Sequence, residues 1–505
     1  ERPQVHSFNI KETAVSNSTI MPRRAEQIAH WHMEADVVVV GYGIAGAAAA
    51  LEAAQAGASV LVIERSGGWG GASALSGGYI YLGGGTAVQK ACGFDDDPDE
   101  MFKFLMAAMG PGSDEAKTRI YCDESVELFE WLLELGVTFN HTAQLEPAWE
   151  AYRNEGLMYT GGENAWPYNE IARPAPRGHR PPTGGAAAGG EHAGGRFILE
   201  PIVRRAESHG VEAVYNTKLD ALVLDRDGRV AGVAARRFGE EVLVRARQGV
   251  VLAAGTFVYN RRMVARHAPW ILDRAASAIE EHEGGAILAA QAIGAEVAHM
   301  DACEVASPIN PPVLIRGMLV NGVGQRFINE DTYPGRLAQI MLFKHDNAGF
   351  GIVDERCIEE GDDPLKAKLP DYPFLKVTSV CETLAELEHE LGLPPGSLET
   401  SVGLYNRNAA RGEDPMFHKA ARWLRPLEPP FGAFSMSGTT SGFTLGGLVT
   451  TVDAEVLHVG GDPIPGLYAA GRTSSGIPAW GYASGASLGD GAFFGRKAGK
   501  AIAKL

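Results

Sequence analysis

Cysteine is scarce and scattered: Cys92, Cys122, Cys303, Cys357 and Cys381 are the only five in 505 residues. None form a CxxC pair and no CxxCH occurs, so structural zinc, iron–sulfur clusters and covalent haem lack their usual ligand spacing. An odd, unpaired count predicts a reducing compartment, the cytoplasm. Positive charge is also short. Lysine and arginine number 45 against 62 acids, a net charge of −17, which repels polyphosphate and argues against nucleic-acid binding. No apolar run is long enough to span a bilayer, so no integral membrane segment is expected. The N-terminus, ERPQVHSFNIKETAVSN, lacks the apolar core of a secretory signal. The chain does not begin with Met, so removal of an earlier segment stays open.

Glycine, by contrast, is abundant, with 63 residues clustered in short motifs rather than repeated with a period. Collagen-like and low-complexity readings therefore fail, and close-approach or special-turn roles are expected. Residues 1–34 are polar and aperiodic and predict an arm over the surface. DVVVVG at 36–41 reads as a buried parallel strand, the Ala-rich stretch 45–56 as a helix, and SVLVIE at 59–64 as the next strand. Residues 98–138 predict helices with an apolar face through Phe102, Leu105, Met106, Leu128, Trp131 and Leu132. Residues 178–195 form a Gly-rich stretch expected to be flexible, a tolerated insertion in preference to a lid. His179 and His192 lie within it and are expected to be solvated, with no metal site. Strands follow in VEAVYN, ALVLDRDGRVAGVAARR and EVLVRARQGVVLAAG, with a hairpin turn at DRDG, 225–228.

From 297 to 435 the chain becomes irregular and proline-punctuated, with helical pieces such as 383–391, and reads as a second, catalytic domain. The glycine-rich style returns over 436–505 and ends in a helix. The expected fold class is thus α/β: a Rossmann-like nucleotide-binding domain built from 1–296 and 436–505, with an inserted α+β cap domain.

Gly41-Tyr42-Gly43-Ile44-Ala45-Gly46 is a GxGxxG motif placed after a strand and opening a helix. Gly41 allows the tight turn, Gly43 lets the backbone approach a pyrophosphate, and Gly46 lets helix pack on strand. The first helical turn, with Ile44 and Ala45, offers free N–H groups and a positive dipole to phosphates. Glu64 ends the next strand at the spacing of a ribose-binding acid, followed by Arg65 and Ser66. NAD and FAD both fit this unit. Three further features favour FAD. Gly71, Ala72, Ser73, Ser76, Gly77 and Gly78 supply small residues for backbone contact with a large planar ring. GVVLAAGTF (249–257) ends a late strand in Ala254-Gly255. GLYAAGR (466–472), with Gly471 and Arg472, repeats that form near the C-terminus, before Ser487 and Leu488 open the last helix.

In this order, these features resemble the FAD-dependent fumarate reductase and 3-ketosteroid dehydrogenase superfamily, over nearly the whole chain. SGGWGGASALSGGYIYLGGGT (66–86), GLMYTGGENA (156–165), NEDTYPGR (329–336), GFTLGGL (442–448) and GYASGASLGDGAFFGR (481–496) narrow the likeness to the 3-ketosteroid Δ4-(5α)-dehydrogenases. The resemblance implies a non-covalently bound FAD, a steroid substrate, an external electron acceptor of unknown identity, and room for transient contact with a membrane surface. It also implies that Tyr333, Tyr482 and Ser484 surround steroid ring A. Tyr482, helped by a backbone N–H in Gly485–Ala486, is expected to polarise the C3 carbonyl. Tyr333, assisted by Ser484, is expected to take the C4 proton. Trp480 departs from the small residues expected before Tyr482, and either lines the steroid slot or packs.

Two other readings compete. A fumarate-reductase-like enzyme needs an arginine proton donor, for which Arg336 and Arg356 are candidates, although surface arginines are commoner. A flavoprotein of electron relay would need no shaped substrate pocket. Activity at C1–C2 of the steroid is a further alternative.

Overall fold

A computed structural model of the chain describes residues 20–148, 150–183, 193–306, 311–361, 376–436 and 441–504. Its centre is a nine-stranded sheet. Five of its strands run parallel, in the spatial order Pro463–Ala469, Glu240–Leu252, Met33–Val40, Val60–Ile63, Glu212–Val214. The continuous β-branched run Val37 to Val40 is buried on both faces, as a parallel strand under helices requires. Glu240–Leu252 is the pivot. Its first half pairs antiparallel with Val230–Arg237, and its last residues pair with the C-terminal strand.

The two ends of the chain meet through small residues. Helix Ile44–Gln55 packs along the last helix, Ala486–Ile502. A side chain at Gly495 would overlap the Ala45 carbonyl, and one at Gly499 the Ala49 carbonyl. Glycines four apart on one helix therefore face the alanines of the other, and the backbones come close enough to exclude any larger residue.

A second core runs from Val313 to Met436. It lies on a four-stranded antiparallel sheet, Met318–Asn321, Gly349–Asp354, Phe431–Ser435 and Ser379–Cys381. Helix Leu384–Leu391 starts at a capping box between Thr383 and Glu386, where a helix was expected. The expected 98–138 helices are three: Pro98–Ala108, Glu115–Asp123 and Ser125–Glu134. Met101, Phe104 and Leu105 carry the first one's buried face, with Phe102 and Met106 at its rim.

The N-terminal segment, where it is described, lies over the surface as expected: Arg23–Arg24 adds an exposed parallel edge strand to Thr217–Leu224, and Ile28 and Trp31 pack beneath it. Residues 1–19 lie outside the described residues. The Gly-rich stretch is not flexible at either flank. Gly178–His179 pairs with Ile80–Tyr81 and Leu157–Met158. Gly194 runs against Gly77–Gly78 and Gly195 against Ser73 and Ser76, and the Gly195 N–H donates to the Ser76 carbonyl at 2.9 Å. Glycine serves close backbone approach here. His179 is fully buried, bonded to Thr86 Oγ1 at 2.8 Å and the Arg177 carbonyl at 3.0 Å, and so is not solvated. Residues 184–192, including His192, lie outside the described residues.

Candidate active site

The strand register brings the sequence motifs to one edge. Val40, Ile63, Leu252 and Ala469 are aligned neighbours across four parallel strands. The residues that follow them are Gly41, Glu64, Ala253–Gly255 and Ala470–Gly471. All leave the carboxyl end of the sheet together, where open α/β sheets hold their ligands. Gly41 has φ +99°, and a side chain there would overlap the Ala253 carbonyl. A side chain at Gly46 would overlap the carbonyl of Gly41. Gly43 caps the helix with no side chain of its own, and apart from the Ile44 N–H, which the Ser73 hydroxyl accepts, the N–H groups of the first turn are left for a ligand's phosphates.

Glu64 is buried, and its carboxylate accepts the N–H of Tyr42 at 2.7 Å and of Ser66 at 2.8 Å. Ser73, in the short helix Gly71–Leu75 with Ala72, accepts the Ile44 N–H at 3.1 Å. Ser76 donates back to the Ser73 carbonyl, and Gly77 and Gly78 follow. Arg65 turns away, to Glu283 at 2.7 Å and the Glu281 carbonyl. Ala254 and Gly255 stand at the strand end, with the His282 ring filling the space beside Gly255. Gly471 and Arg472 form a single tight turn. Arg472 donates to Asp490 at 2.8 Å and to the Leu445 carbonyl, and its Nε is buried without a partner among the described residues. Leu488 is buried and Ser487 half-buried in the first turn of the last helix.

The three residues assigned to ring A come from two distant segments. Tyr333 precedes helix Pro334–Lys344, and Gly335 leaves room for its ring to fold over the helix start. Its Oη lies 2.9 Å from Ser484 Oγ. The Ser484 N–H donates to the Thr160 carbonyl at 2.9 Å, which fixes the loop. Tyr482 Oη accepts the Ser487 N–H at 3.3 Å, and its ring packs edge-on against Phe443 at 5.6 Å. Gly485, at φ +98°, lies against Tyr81, whose N–H donates to the Gly485 carbonyl at 3.1 Å. The Ala486 N–H is engaged by the Ala483 carbonyl, so the expected backbone donor falls to Gly485.

Burial raises the pKa of both phenols, and that of Tyr333 lies well above 10. Both are therefore neutral near pH 7. Each residue still keeps accessible surface, the condition of a group lining a recess.

Sequence reasoning missed Glu304. It sits on strand Cys303–Ala306, directly opposite Phe443 on Ser441–Thr444. Its residue is 5% exposed, and burial pushes its carboxyl up to about 8. The signal was a lone acid in the small and apolar run ACEVA, buried by a fold that short pattern could not reveal.

Trp480 packs: its ring meets Phe343 at 5.9 Å and Trp270 at 6.3 Å, and its carbonyl accepts from Gln339 at 3.2 Å. Arg336 is not a surface residue. It is half-buried and bonded to the Trp166 carbonyl, Asn329 and Thr332, with its guanidinium over Tyr168. Arg356 is half-buried and paired with Asp354 and Glu428.

The glycine cradle, the largely open helix start and the anchored acid fit a dinucleotide with a large ring. The FAD binding domain family matches residues 36–488. A crystal structure of 3-ketosteroid-Δ4-(5α)-dehydrogenase from Rhodococcus jostii RHA1, in complex with 4-androstene-3,17-dione, matches with a TM-score of 0.93. It is 54% identical, covering 96% of this chain and 100% of that one. The chain belongs to the FAD-binding family of the 3-ketosteroid-Δ4-(5α)-dehydrogenases.

It is an FAD-dependent oxidoreductase, with the α/β fold expected of one. The 3-oxo-5-alpha-steroid 4-dehydrogenase of Comamonas testosteroni is 28% identical over 515 residues, 87% of this chain and 93% of that protein. A probable fumarate reductase, Ifc3, of Shewanella frigidimarina (strain NCIMB 400) is 27% identical over 478 residues, 93% and 74% of the two. No helix among the described residues is long and apolar enough to cross a membrane.

Proposed function

We propose that this enzyme introduces the C4–C5 double bond into 5α-3-ketosteroids. The observation that carries the reading is the Tyr333–Ser484 hydrogen bond, with Ser484 two residues from Tyr482 on the loop that leads into the last helix, Ala486–Ile502. The 54% identity to a steroid-bound dehydrogenase supports the substrate class.

Bound FAD supplies the hydride acceptor for C5. The chain supplies the rest. The Tyr482 hydroxyl, with the Gly485 N–H, polarises the C3 carbonyl and acidifies C4–H. Preorganised donors of this kind are worth about 3 kcal/mol each in rate. The hydrogen-bonded Tyr333–Ser484 pair receives the proton from C4. Gly41, Gly43, Gly46 and the first turn of helix Ile44–Gln55 hold the pyrophosphate, and Glu64 holds a ribose.

Residues 297–435 act as the substrate domain, and 1–296 with 436–505 as the FAD domain, a division supported by the separate core from Val313 to Met436. Five cysteines without a disulfide support a cytoplasmic site of action. The reduced cofactor passes its electrons to an external acceptor, and an apolar steroid is collected through transient contact with a membrane surface. Anaerobic mixing with a panel of 5α-, 5β- and Δ4-3-ketosteroids tests the reading. Bleaching of the flavin by the 5α compounds, with a Δ4 product, is expected. Bleaching by Δ4 substrates alone would point to C1–C2, and reoxidation by fumarate to the acid-reducing alternative.

A further inference from the structure

A proton taken from C4 needs a destination. Tyr333 and Tyr482 are both neutral phenols, and the Ser484 hydroxyl has no basicity of its own near pH 7. The pair can pass a proton along only if some group beyond it has a vacant site. Strand Cys303–Ala306 presents such a group. Glu304 faces the same side as Phe443, whose ring packs on Tyr482. Helix Pro334–Lys344, which begins beside Tyr333, packs on that strand. The Glu304 charge is felt at both phenols. Among the described residues its carboxylate has no hydrogen-bond and no ion-pair partner, which is unusual for an acid this buried.

We propose that Glu304 is the acceptor to which the Tyr333–Ser484 pair delivers the proton removed from C4 of the steroid. This rests on the proposed 5α-3-ketosteroid activity. The C4–H bond breaks and its electron pair becomes the C4–C5 π bond, while FAD, when bound, would accept the hydride from C5. The proton arriving at Ser484 or Tyr333 displaces another, which ends on a Glu304 oxygen. Glu304 makes no direct hydrogen bond to either hydroxyl, so an intervening water carries the last transfer.

The surroundings suit an acceptor. The Glu304 charge helps to raise the pKa of the Tyr333 and Tyr482 phenols, and Cys303 precedes it on its own strand. Strand Ser441–Thr444 carries no ionisable side chain. On helix Pro334–Lys344, Arg336 is engaged by Trp166, Asn329 and Thr332. Burial holds the Glu304 carboxyl at about 8, far nearer to working pH than an ordinary acid and so a better base when ionised.

The test compares wild-type holoenzyme, Glu304→Gln and Glu304→Asp, each with FAD content verified. Flavin bleaching by 5α-androstane-3,17-dione is followed from below neutral pH to well above it. Wild type should speed up as pH rises through about 8, where Glu304 ionises. Glu304→Gln should lose that limb and slow by about 100-fold at its top, the usual scale for a proton-transfer group. Glu304→Asp should restore the limb at a shifted pH. Infrared titration of the steroid-free holoenzyme should show one protonated carboxyl that ionises in the same range and is missing in Glu304→Gln. A Glu304→Gln variant that keeps the wild-type limb overturns the proposal. So does the absence of that infrared band from wild type, a result that stands even if a variant fails to fold. Wild type that no 5α-steroid bleaches overturns the proposed activity instead, and the infrared titration still judges Glu304.

Discussion

The Tyr333 hydroxyl and the Ser484 hydroxyl meet at 2.9 Å although 151 residues of chain separate them. One comes from the start of a helix over the second core, the other from the loop before the last helix. Their bond is therefore a direct reading of how the two parts of the chain are joined. If they act as one proton-handling unit, Tyr333→Phe and Ser484→Ala should each slow flavin bleaching by about 100-fold or more. The double variant should be little worse than the poorer single one, because parts of a unit are not additive. Stopped-flow bleaching of enzymes with full FAD content measures this. Losses that multiply would show that the two hydroxyls act apart.

The proposed mechanism gives Tyr482 a different task. Its oxygen accepts the Ser487 N–H, which leaves its own proton free to donate. In that mechanism, removing the hydroxyl takes away a donor that matters most as negative charge builds on the C3 oxygen. Tyr482→Phe should lower the bleaching rate by about 100- to 1000-fold, with a much smaller change in the affinity for 4-androstene-3,17-dione measured by flavin spectral titration. An affinity loss as large as the rate loss would make Tyr482 a binding group only.

Two helix glycines, Gly46 at the cofactor edge and Gly285 elsewhere, differ in what surrounds them. A methyl at Gly46 would overlap the Gly41 carbonyl, a backbone atom that cannot swing aside. A methyl at Gly285, in helix Gly285–Gln291, meets nothing within 4 Å. Gly46→Ala should cost about 1–3 kcal/mol and strip most of the FAD. Gly285→Ala should be neutral or up to about 1 kcal/mol stabilising. Flavin absorbance after gel filtration and thermal melting compare them. Full FAD content in Gly46→Ala would remove the close-packing account of the motif.

Much of this was legible locally. The strand, the GxGxxG turn, Glu64 and the Ala-rich helix are consecutive, so their geometry follows from spacing alone. The capping box at Thr383 and Glu386 marked its helix in the same way. Resemblance, not spacing, brought Tyr333 to Tyr482 and Ser484. What could not be read depends on distant neighbours. Glycines in 178–195 suggest flexibility, but here Gly178 lies against Thr160 and Gly194 against Gly77–Gly78, a partner far away in the chain and in no recognisable pattern. Glu304 reads as an ordinary acid until two strands and a helix close over it.

The buried histidines make a prediction about acid stability. Burial lowers the pKa of His179 and of His282 to about 4, from an ordinary 6.5. A depressed imidazole is neutral in the fold and takes up its proton more readily when unfolded. The stability it contributes is complete above 6.5 and is lost as pH falls towards 4, by about 3 kcal/mol for each at most. Glu304 works against this, since its raised carboxyl favours the fold more as pH falls from about 8 towards the ordinary value of 4.5. The raw melting curve therefore mixes opposite slopes, and the difference between variants is what decides. His179→Gln can still reach Thr86 and the Arg177 carbonyl, but it does not titrate. Its melting temperature should start lower than wild type at pH 7 and then close on it between pH 6.5 and 4. A constant gap across that range would mean that His179 takes up its proton within the fold as readily as outside it.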